Sequence, residues 1–362
     1  MVNWMMDGKR TMEIGIDSFA AAYDAAGLAE DPAKRMNDLV EQIVQADQVG
    51  LDAFGVGEHH RKEYLDSAAP VILAAAATRT KRIRLTSAVT VLSAIDPVRL
   101  YQQFATVYLL SYGRAEIVAG RGSSIDAFPL FGLRLDDYDA LYEENLDLLL
   151  KLRANEHVTW SGRFRAPLSG EGVYPRAVQN PLPVWVGVGG TPNSFARAGA
   201  LGLPLMVAII GGETQRFRSL IDLYYETAER FNQPREQLKV GLHSLGYVAA
   251  TKKQAADEFF PGYAQAIASV AKERGWGQAS RGQFDAQLGP QGALLIGEPE
   301  EVAEKILRHS ESLGGIARVQ FQMNASSLPH DKMMRAIELL GTEVAPIVRK
   351  ALSTTQEPVA AT

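Results

Sequence analysis

The chain contains no cysteine among its 362 residues, which excludes disulfide frameworks, Cys-ligated zinc or iron–sulfur sites, and thiol nucleophiles. Its 37 Lys and Arg nearly balance its 42 Asp and Glu, so a broad nucleic-acid-binding surface is not expected. The longest nearly apolar run, Ala68–Ala77, is far shorter than the roughly 20 residues that a membrane-spanning helix needs. We therefore expect a soluble, cytoplasmic protein with neither a nucleic-acid nor a membrane partner.

The two ends of the chain carry no core pattern. Residues 1–11 lack the apolar stretch and cleavage site of a secretory signal and are interpreted as a disordered leader. Residues 351–362 are rich in turn formers and are predicted to be a disordered tail. No Ser/Gly-rich linker interrupts residues 12–350, so one domain is expected there.

A repeated junction indicates the fold class. A helical pattern, then a glycine, then an apolar residue and a strand recurs at Gly50, Gly113, Gly202 and Gly314. Glycine ends helices in this way because it adopts the left-handed conformation without a Cβ penalty. Eight continuous apolar runs, typical of buried parallel strands, are predicted at Met12–Asp17, Ala53–Gly57, Ile83–Leu92, Ala115–Ala119, Pro183–Val188, Pro204–Ile210, Lys239–Val248 and Arg318–Gln322. Helical patterns follow them, so the sequence favours an α/β fold, a (β/α)8 TIM barrel, over a doubly wound sheet.

Two segments interrupt the alternation of strands and helices. His157–Leu182, after the fourth helix, and Trp276–Gly297, between the seventh and eighth strands, are rich in glycine. We interpret both as loop insertions. Such insertions usually serve as lids, substrate-binding loops or oligomer contacts.

The second strand runs directly into Glu58, His59 and His60. Imidazoles beside a carboxylate suit proton transfer near neutral pH, and catalytic groups of barrels stand at the carboxyl ends of strands. Adjacent histidines point apart in extended chain, so a shared metal ion is not expected. The alternative is a pair of loop histidines that bind backbone carbonyls.

Small polar residues follow the third strand, and glycines follow the fourth and fifth. Ser87, Thr90 and Ser93 suit the wall of a site for a planar ligand, although they also suit hydrogen bonds to neighbouring backbone. Gly120–Ser123 contains Arg121, and Gly187–Ser194 leads into a helix. Glycine amides, a helix amino end and an arginine together predict a phosphate clamp. The spacing matches neither a Walker loop nor GxGxxG.

In this order, the motifs resemble the bacterial-luciferase-like, flavin-dependent monooxygenase family (LLM class flavin-dependent oxidoreductases). The matching segments are collinear from about residue 12 to residue 348. They are Glu58–His60, Thr86–Arg99, Gly113–Arg114, Gly120–Gly122, Trp160–Gly162, Pro183–Gly190 and Gly297–Val302.

The resemblance implies that FMN binds at the carboxyl end of the barrel. Arg121, Gly189, Gly190 and Ser194 would hold its phosphate, with Gly122 and Ser123 beside Arg121. Ala88–Val89 corresponds to a non-proline cis peptide that packs against the flavin ring, with Thr90 next to it. His59 matches the acid or base near the flavin, with Glu58 or His60 orienting it.

The resemblance also implies the reaction. Reduced FMN, supplied by a separate NAD(P)H:flavin reductase, would react with O₂ to give a C4a-peroxyflavin that oxygenates a small organic substrate. The segment Trp276–Gly297 would be the lid over that species. The family further implies a homodimer, with helices of the second and third βα units as contacts.

Three alternatives stay open at this point. The same barrel family uses the deazaflavin F420, whose polyglutamate tail would favour cations such as Arg61, Lys62, Arg163 and Arg165 at the mouth. A non-catalytic flavin-binding protein would retain the clamp without the oxygenation. A metal-dependent barrel hydrolase is disfavoured, because the six histidines include no HxH pair on a first strand, and no metal is expected.

Overall fold

The computed structural model describes residues 12–22, 31–122, 125–177, 181–274, 279–324 and 328–354. The predicted leader, Ser123 and Trp276 lie outside the described residues, as do residues 355–362 of the predicted tail. The last helix continues to Thr354, so residues 351–354 are helical and the prediction of disorder is wrong for them.

Eight parallel strands close into a barrel, which confirms the predicted (β/α)8 fold. In chain order they span Glu13–Ser18, Ala53–Val56, Arg84–Ser87, Ala115–Gly120, Val184–Val188, Leu205–Ala208, Val240–Val248 and Arg318–Asn324. Each strand pairs with the next, and the eighth lies between the seventh and the first. We refer to them below as the first to eighth strands. Their buried apolar side chains are what the continuous apolar runs predicted.

Helices surround the barrel. The main ones are Pro32–Gln48, Ala69–Ala77, Pro97–Leu110, Tyr138–Ala154, Pro192–Ala200, Arg218–Arg230, Lys252–Arg274, Pro299–Leu313, His330–Leu339 and Ala345–Thr354. Short ones span Ala127–Leu130 and Arg281–Gln287, with 3-10 turns at Leu135–Asp137, Thr214–Phe217 and Arg235–Gln237 and a π-helical turn at Leu340–Val344. The four junction glycines all have positive φ, from 64° at Gly202 to 95° at Gly113, as the repeated pattern predicted. Within the described residues, no helix is long and apolar enough to cross a membrane.

Both insertions contain regular structure that the sequence interpretation missed. The first forms an antiparallel hairpin, His157–Trp160 with Leu168–Gly172. The second contains the helix Arg281–Gln287 and a short strand, Leu295–Gly297, paired with the seventh strand. Phe284 is fully buried between aromatic rings. A lid at this segment stays a prediction, and the burial of Phe284 argues against movement of the segment as a whole.

The amino end of the barrel interior is closed by a layer of paired charges. Arg318 donates to Glu13 at 2.6 Å and to Glu116 at 2.7 Å, and Arg84 pairs with both glutamates. The Arg318 guanidinium stacks 4.5 Å from the Trp185 ring centre. Burial alone would raise the pKa of Glu116, but Arg318 and Arg84 outweigh it and hold that pKa below its ordinary value. We call these four charged residues the basal charge layer.

Candidate active site

A cavity of about 460 Å³ opens at the carboxyl end of the barrel. Its walls come from the strand ends and the loops that follow them. Apolar side chains form much of the surface, and polar groups converge at the exposed rim and at the buried end. The lining includes Asp17, Phe19, Glu58, His59, Ala88, Val89, Arg121, Gly122, Tyr138, Gly189, Thr191, Met206, His243, Gln320 and Gln322.

One wall is the peptide between Ala88 and Val89, which is cis as the resemblance implied. It interrupts the third strand, so the single strand predicted over residues 83–92 is divided into Arg84–Ser87 and Thr90–Val91. Thr90 is buried beside the fourth strand, behind the cavity surface.

Glycines on the neighbouring strands make room for these two side chains. A Cβ on Gly120 would lie 2.4 Å from Val89 Cγ2, and one on Gly187 would lie 2.7 Å from Val89 Cγ1. A Cβ on Gly55 would lie 2.8 Å from the Ala88 Cβ. Such distances are too short for real side chains, so glycine is required here for close packing rather than for an unusual φ.

Arg121, the arginine of the predicted phosphate clamp, lies at the exposed rim. Arg121 bonds to Asp139 and donates to the Thr191 hydroxyl at 3.3 Å. Its guanidinium lies 5.2 Å from the ring centre of Tyr138, whose hydroxyl donates to the Gly122 carbonyl at 2.9 Å. Thr191 is the N-cap of the helix Pro192–Ala200, so the positive end of that helix faces the same rim.

The other predicted clamp residues lie close to this rim. Gly189 lines the cavity, and a Cβ on Gly189 or Gly190 would meet no atom of the described residues within 4 Å, apart from its chain neighbours. Ser194 is buried in the first turn of the helix, where its amide donates to the Thr191 carbonyl at 3.0 Å. The open space beside the two glycines is the space that a ligand's phosphate would need.

His59 lines the cavity, but its partner differs from the one predicted. Asp66 bonds to His59 Nδ1 at 2.9 Å and accepts from its backbone amide at 3.1 Å. Burial raises the pKa of Asp66, and the bond to His59 opposes that rise. The imidazole is flanked by Phe19 and Tyr64, with ring centres 4.6 and 4.5 Å away. A histidine fixed in this way through Nδ1 presents Nε2 for proton exchange with a ligand.

The prediction that Glu58 or His60 orients His59 is therefore wrong. Glu58 accepts from the Val91 amide at 3.0 Å and bonds to His60 Nε2 at 3.2 Å. The two imidazoles point apart, as the extended segment predicted. His60 instead meets Phe131 edge-on, with ring centres 5.0 Å apart.

Sequence reasoning also missed the polar group at the buried end. His243 Nδ1 lies 2.6 Å from Asp17 Oδ2, and its Nε2 lies 3.3 Å from Gln322 Oε1. Gln320 donates to Asp17 Oδ1 at 3.2 Å. We call these four residues the inner polar cluster. A polar residue at the end of the first strand and a histidine within the seventh were visible signals, but the strand-end argument was applied only to the second to fifth strands.

Two serines at the third strand make hydrogen bonds to neighbouring backbone, which was the second of the two interpretations given for them. Ser87 donates to the Val118 carbonyl at 3.1 Å and accepts from its amide at 2.9 Å. Ser93 donates to the Tyr138 carbonyl at 3.3 Å. Among the described residues, no three His, Asp or Glu side chains are placed to hold a metal ion.

Residues 12–315 match the family of luciferase-like monooxygenases. The chain belongs to this family. The uncharacterized protein y4vJ of Sinorhizobium fredii is 25% identical over 337 residues, covering 90% of this chain and 95% of that protein. The F420-dependent glucose-6-phosphate dehydrogenase of Amycolatopsis mediterranei is 32% identical over 161 residues, which is 42% of this chain and 48% of the dehydrogenase.

Two solved structures of luciferase-like monooxygenases share the barrel. The monooxygenase RslO1 from Streptomyces bottropensis matches with a TM-score of 0.80 and 24% identity, over 92% of this chain and 99% of RslO1. The oxygenating constituent of 3,6-diketocamphane monooxygenase from Pseudomonas putida, solved in complex with FMN, matches with a TM-score of 0.74 and 20% identity, over 93% and 98%. At these identities the likeness supports the fold, while the family supports an oxidoreductase that uses a flavin or F420.

Proposed function

We propose that this chain is a flavin-dependent monooxygenase that uses reduced FMN and O₂ to oxygenate a small organic substrate. The observation that carries the proposal is a single cavity that combines three features. These are an arginine and threonine clamp at a helix amino end, a cis-peptide wall, and a histidine bonded to a buried carboxylate.

The residues present fit FMN. The clamp offers a guanidinium, a hydroxyl and a helix amino end, which are the groups that bind phosphate in proteins. Open space lies beside Gly189 and Gly190. Val89, Val118 and Met206 give an apolar wall that suits a planar ring.

Each group then has a defined role. Arg121 and Thr191 hold the phosphate, and the wall around Ala88–Val89 supports the ring. Bound reduced FMN would supply the two electrons with which one atom of O₂ enters the substrate and the other leaves as water. His59 Nε2 donates or accepts the proton that this exchange requires, and Asp66 keeps the imidazole oriented. The enclosed walls exclude bulk water.

Two partners are part of the proposal. The sequence contains no GxGxxG motif for NAD(P)H, so a separate NAD(P)H:flavin reductase is proposed to deliver reduced FMN. A homodimer is proposed through the helices Ala69–Ala77 and Pro97–Leu110. Val71, Leu110 and Tyr112 on and beside them are 67%, 43% and 94% exposed, which is apolar surface that a second copy would bury. Light scattering on a sizing column would measure the mass, and a monomer at all concentrations would contradict the homodimer.

F420 is the second candidate cofactor, because a relative of 32% identity over part of the chain is named as F420-dependent. Three of the four cations predicted to hold its acidic tail are already paired. Arg163 binds Asp137 at 3.0 Å, and Arg165 binds Asp96 at 2.7 Å. Arg61 lies near Glu63 and Asp126, at 3.7 and 3.6 Å. Arg121 is paired in the same way, with Asp139, so the pairing of cations does not separate the two cofactors, and binding measurements decide between them.

A titration tests the proposal. The parent protein is titrated with FMN, riboflavin and F420, and flavin fluorescence or absorbance gives each Kd. We expect FMN to bind more tightly than riboflavin or F420. Arg121→Ala should remove the advantage of FMN over riboflavin, whereas Arg134→Ala, at an exposed arginine outside the cavity lining, should leave it unchanged. Preference for F420 would establish the alternative cofactor instead.

The oxygen chemistry is tested by mixing the protein–reduced FMN complex with O₂ and following the return of oxidised flavin. His59→Gln should change the rate and pH dependence of that return while leaving the Kd of FMN within about threefold, the scale of one lost neutral hydrogen bond. An identical time course in the parent and the variant would support the non-catalytic flavin-binding protein.

A further inference from the structure

The cavity has polar groups at two ends, and only one of them is explained by a phosphate. Arg121 and Thr191 stand at the exposed rim, whereas the inner polar cluster is buried. Asp17, Gln320, Gln322 and His243 are 2%, 1%, 5% and 8% exposed, and all four line the cavity. Buried polar side chains lower the stability of a barrel unless their hydrogen bonds are made, so their presence at a ligand cavity needs a reason.

The four side chains of the inner polar cluster do not complete their hydrogen bonds among themselves. Asp17 binds both His243 and Gln320, and Gln322 contacts His243 at the long distance of 3.3 Å. Among the hydrogen bonds of the described residues, none reaches the buried Gln320 Oε1. His243 Nδ1 lies against the Asp17 carboxylate, whereas its Nε2 makes only the long contact with Gln322. The cluster therefore retains hydrogen-bonding capacity for a ligand.

The inner polar cluster is next to the wall where the ring is proposed to lie. A Cβ added to Gly55 would lie 2.0 Å from Asp17 Oδ1 and 2.8 Å from Ala88 Cβ. The side chains of Asp17 and Ala88 are therefore immediate neighbours. Phe19 stacks parallel to His243, with ring centres 6.3 Å apart and 15° between the planes. Between rim and cluster the walls are largely apolar.

A flavin has the same distribution of polarity. Its phosphate is at one end, and one edge of its ring is a pyrimidinedione of alternating carbonyl and N–H groups, while the opposite edge is a dimethylbenzene without hydrogen-bonding groups. Reduced flavin also carries its negative charge on the pyrimidinedione edge. We propose that the inner polar cluster recognises the pyrimidinedione edge of the cofactor, and that His243 makes this site bind the reduced, anionic ring more tightly than the oxidised ring.

This inference rests on the proposed function for its cofactor. It adds a reason for the protein to retain reduced flavin, the form that a reductase delivers. It assigns Asp17 the role of orienting His243 through Nδ1, and Gln320 and Gln322 the role of hydrogen-bonding the ring edge. Asp17, from the first strand, is the ionisable group that faces His243; the eighth strand contributes the two amides, and Phe19 contributes an apolar ring.

The test compares two redox states of one ligand without turnover. Kd values for oxidised FMN and, without O₂, for reduced FMN are measured for the parent, His243→Gln and a control, His157→Gln, whose histidine lies on the exposed hairpin. A hydrogen bond to a charged group contributes about 1.5–3 kcal/mol, so His243→Gln should weaken reduced FMN about tenfold or more. Oxidised FMN should change by less than about threefold, the scale of a neutral hydrogen bond. His157→Gln should change neither.

Further measurements distinguish recognition of the ring edge from binding of the phosphate and from loss of folding. Riboflavin, which has no phosphate, should show the same redox-selective loss in His243→Gln. Gln322→Glu, which adds a negative charge at the same edge, should also weaken the reduced form more than the oxidised form. Circular dichroism checks that both variants fold. Equal losses in the two redox states, or no loss in either variant, would overturn the assignment.

Failure of the proposed function would look different. A parent protein that binds F420 but not FMN would refute the FMN proposal. The deazaflavin ring has the same pyrimidinedione edge, so the comparison of His243→Gln with the parent is then made with oxidised and reduced F420, with the same expected selectivity.

Discussion

The two ends of the barrel interior both hold buried polar groups, but they are built differently. The basal charge layer pairs two arginines with two glutamates, and Arg318 binds both carboxylates at 2.6 and 2.7 Å. The inner polar cluster contains one carboxylate, one imidazole and two amides, with a 3.3 Å contact and a buried oxygen that lacks a partner among the described residues. In the first arrangement Arg84 Nε also lacks a hydrogen bond among the described residues, but it lies 3.2 Å from Glu116 Oε1, so all four charges are paired without a ligand. In the second arrangement the polar groups outnumber the charges that could pair them.

The difference separates polar groups that serve the fold from polar groups that serve a ligand. A closed set of charges inside a barrel resists replacement of any one member, because the partner left behind is buried and uncompensated. An open set contributes less to stability and keeps hydrogen-bonding capacity for another molecule. Substitutions at the two ends should therefore affect different measurements.

The largest expected effect is at the basal charge layer. Arg318→Met should lower the free energy of unfolding by about 3–5 kcal/mol, because it leaves Glu116 buried without its main partner. Urea unfolding measures this loss. Arg335→Met, at an exposed ion pair with Glu338, should cost about 1 kcal/mol or less. Equal losses in the two variants would mean that the basal layer is no more important than a surface pair.

The next effect concerns the packing of Val89 against the fifth strand. Gly187→Ala places a Cβ 2.7 Å from Val89 Cγ1 and should cost about 1–3 kcal/mol through overpacking, with weaker FMN binding because the ring wall shifts. Gly187→Ala combined with Val89→Ala should recover stability. Gly189→Ala, where no protein atom lies within 4 Å, should weaken FMN binding with no loss of stability. A stable Gly187→Ala variant would show that Val89 can move aside freely.

The basal charge layer and the His59–Asp66 pair should respond to pH with opposite signs. The pKa of Glu116 is held below its ordinary 4.5, so its contribution to stability is present above pH 4.5 and is lost as the pH falls below it. Burial raises the pKa of Asp66 from its ordinary 3.8, so its contribution is present at low pH and is lost as the pH rises through the raised pKa.

Urea unfolding between about pH 3 and 7 distinguishes these contributions. In Glu116→Gln, the free energy of unfolding should fall less steeply as the pH is lowered. In Asp66→Asn, the part of the free energy of unfolding that decreases as the pH rises should disappear. If the free energy of unfolding of a variant depends on pH as that of the parent does, the pKa shift of the substituted residue is contradicted.

The smallest expected effect is at the rim. Asp139 is 66% exposed and already pairs with Arg121, so a phosphate must displace it. An exposed ion pair contributes about 0.2–1 kcal/mol, so Asp139→Asn should tighten FMN binding by at most about fivefold. Riboflavin binding should not change. Asp136→Asn, which removes a carboxylate paired with Arg134, provides the control. Weaker FMN binding in Asp139→Asn would mean that Asp139 supports the clamp instead of competing with it.

Much of the fold could be predicted because its signals are local. The second, fifth and sixth barrel strands are continuous apolar runs, and the junction glycines mark helix ends through their positive φ. The hairpin at His157–Gly172 was missed because its prolines and glycines indicate loops, and pairing between distant residues decides its conformation. The break in the third strand at Ala88 leaves no local signal in an apolar run; the family resemblance supplied it.

The site was predictable where its residues are consecutive and not where they are distant. Arg121, Gly189 and His59 stand directly after strands and line the cavity as expected. Asp66 is seven residues from His59, beyond any short motif, and is brought back by the loop. The pair Asp17–His243 joins positions 226 residues apart, which only closure of the barrel brings together.

The pairing of the rim cations has a consequence for how quickly the cofactor arrives. Arg121 and Arg197 are matched by Asp139 and Glu143, four residues apart on one helix. A phosphate dianion approaching the proposed clamp would therefore meet two arginine charges that are nearly cancelled and little long-range electric field; the amino end of the helix Pro192–Ala200 attracts it only at short range. Without such steering, the rate of encounter is that of ordinary diffusion to a small target, and it should vary little with ionic strength. Binding then depends on the phosphate replacing the Asp139 carboxylate as the partner of Arg121.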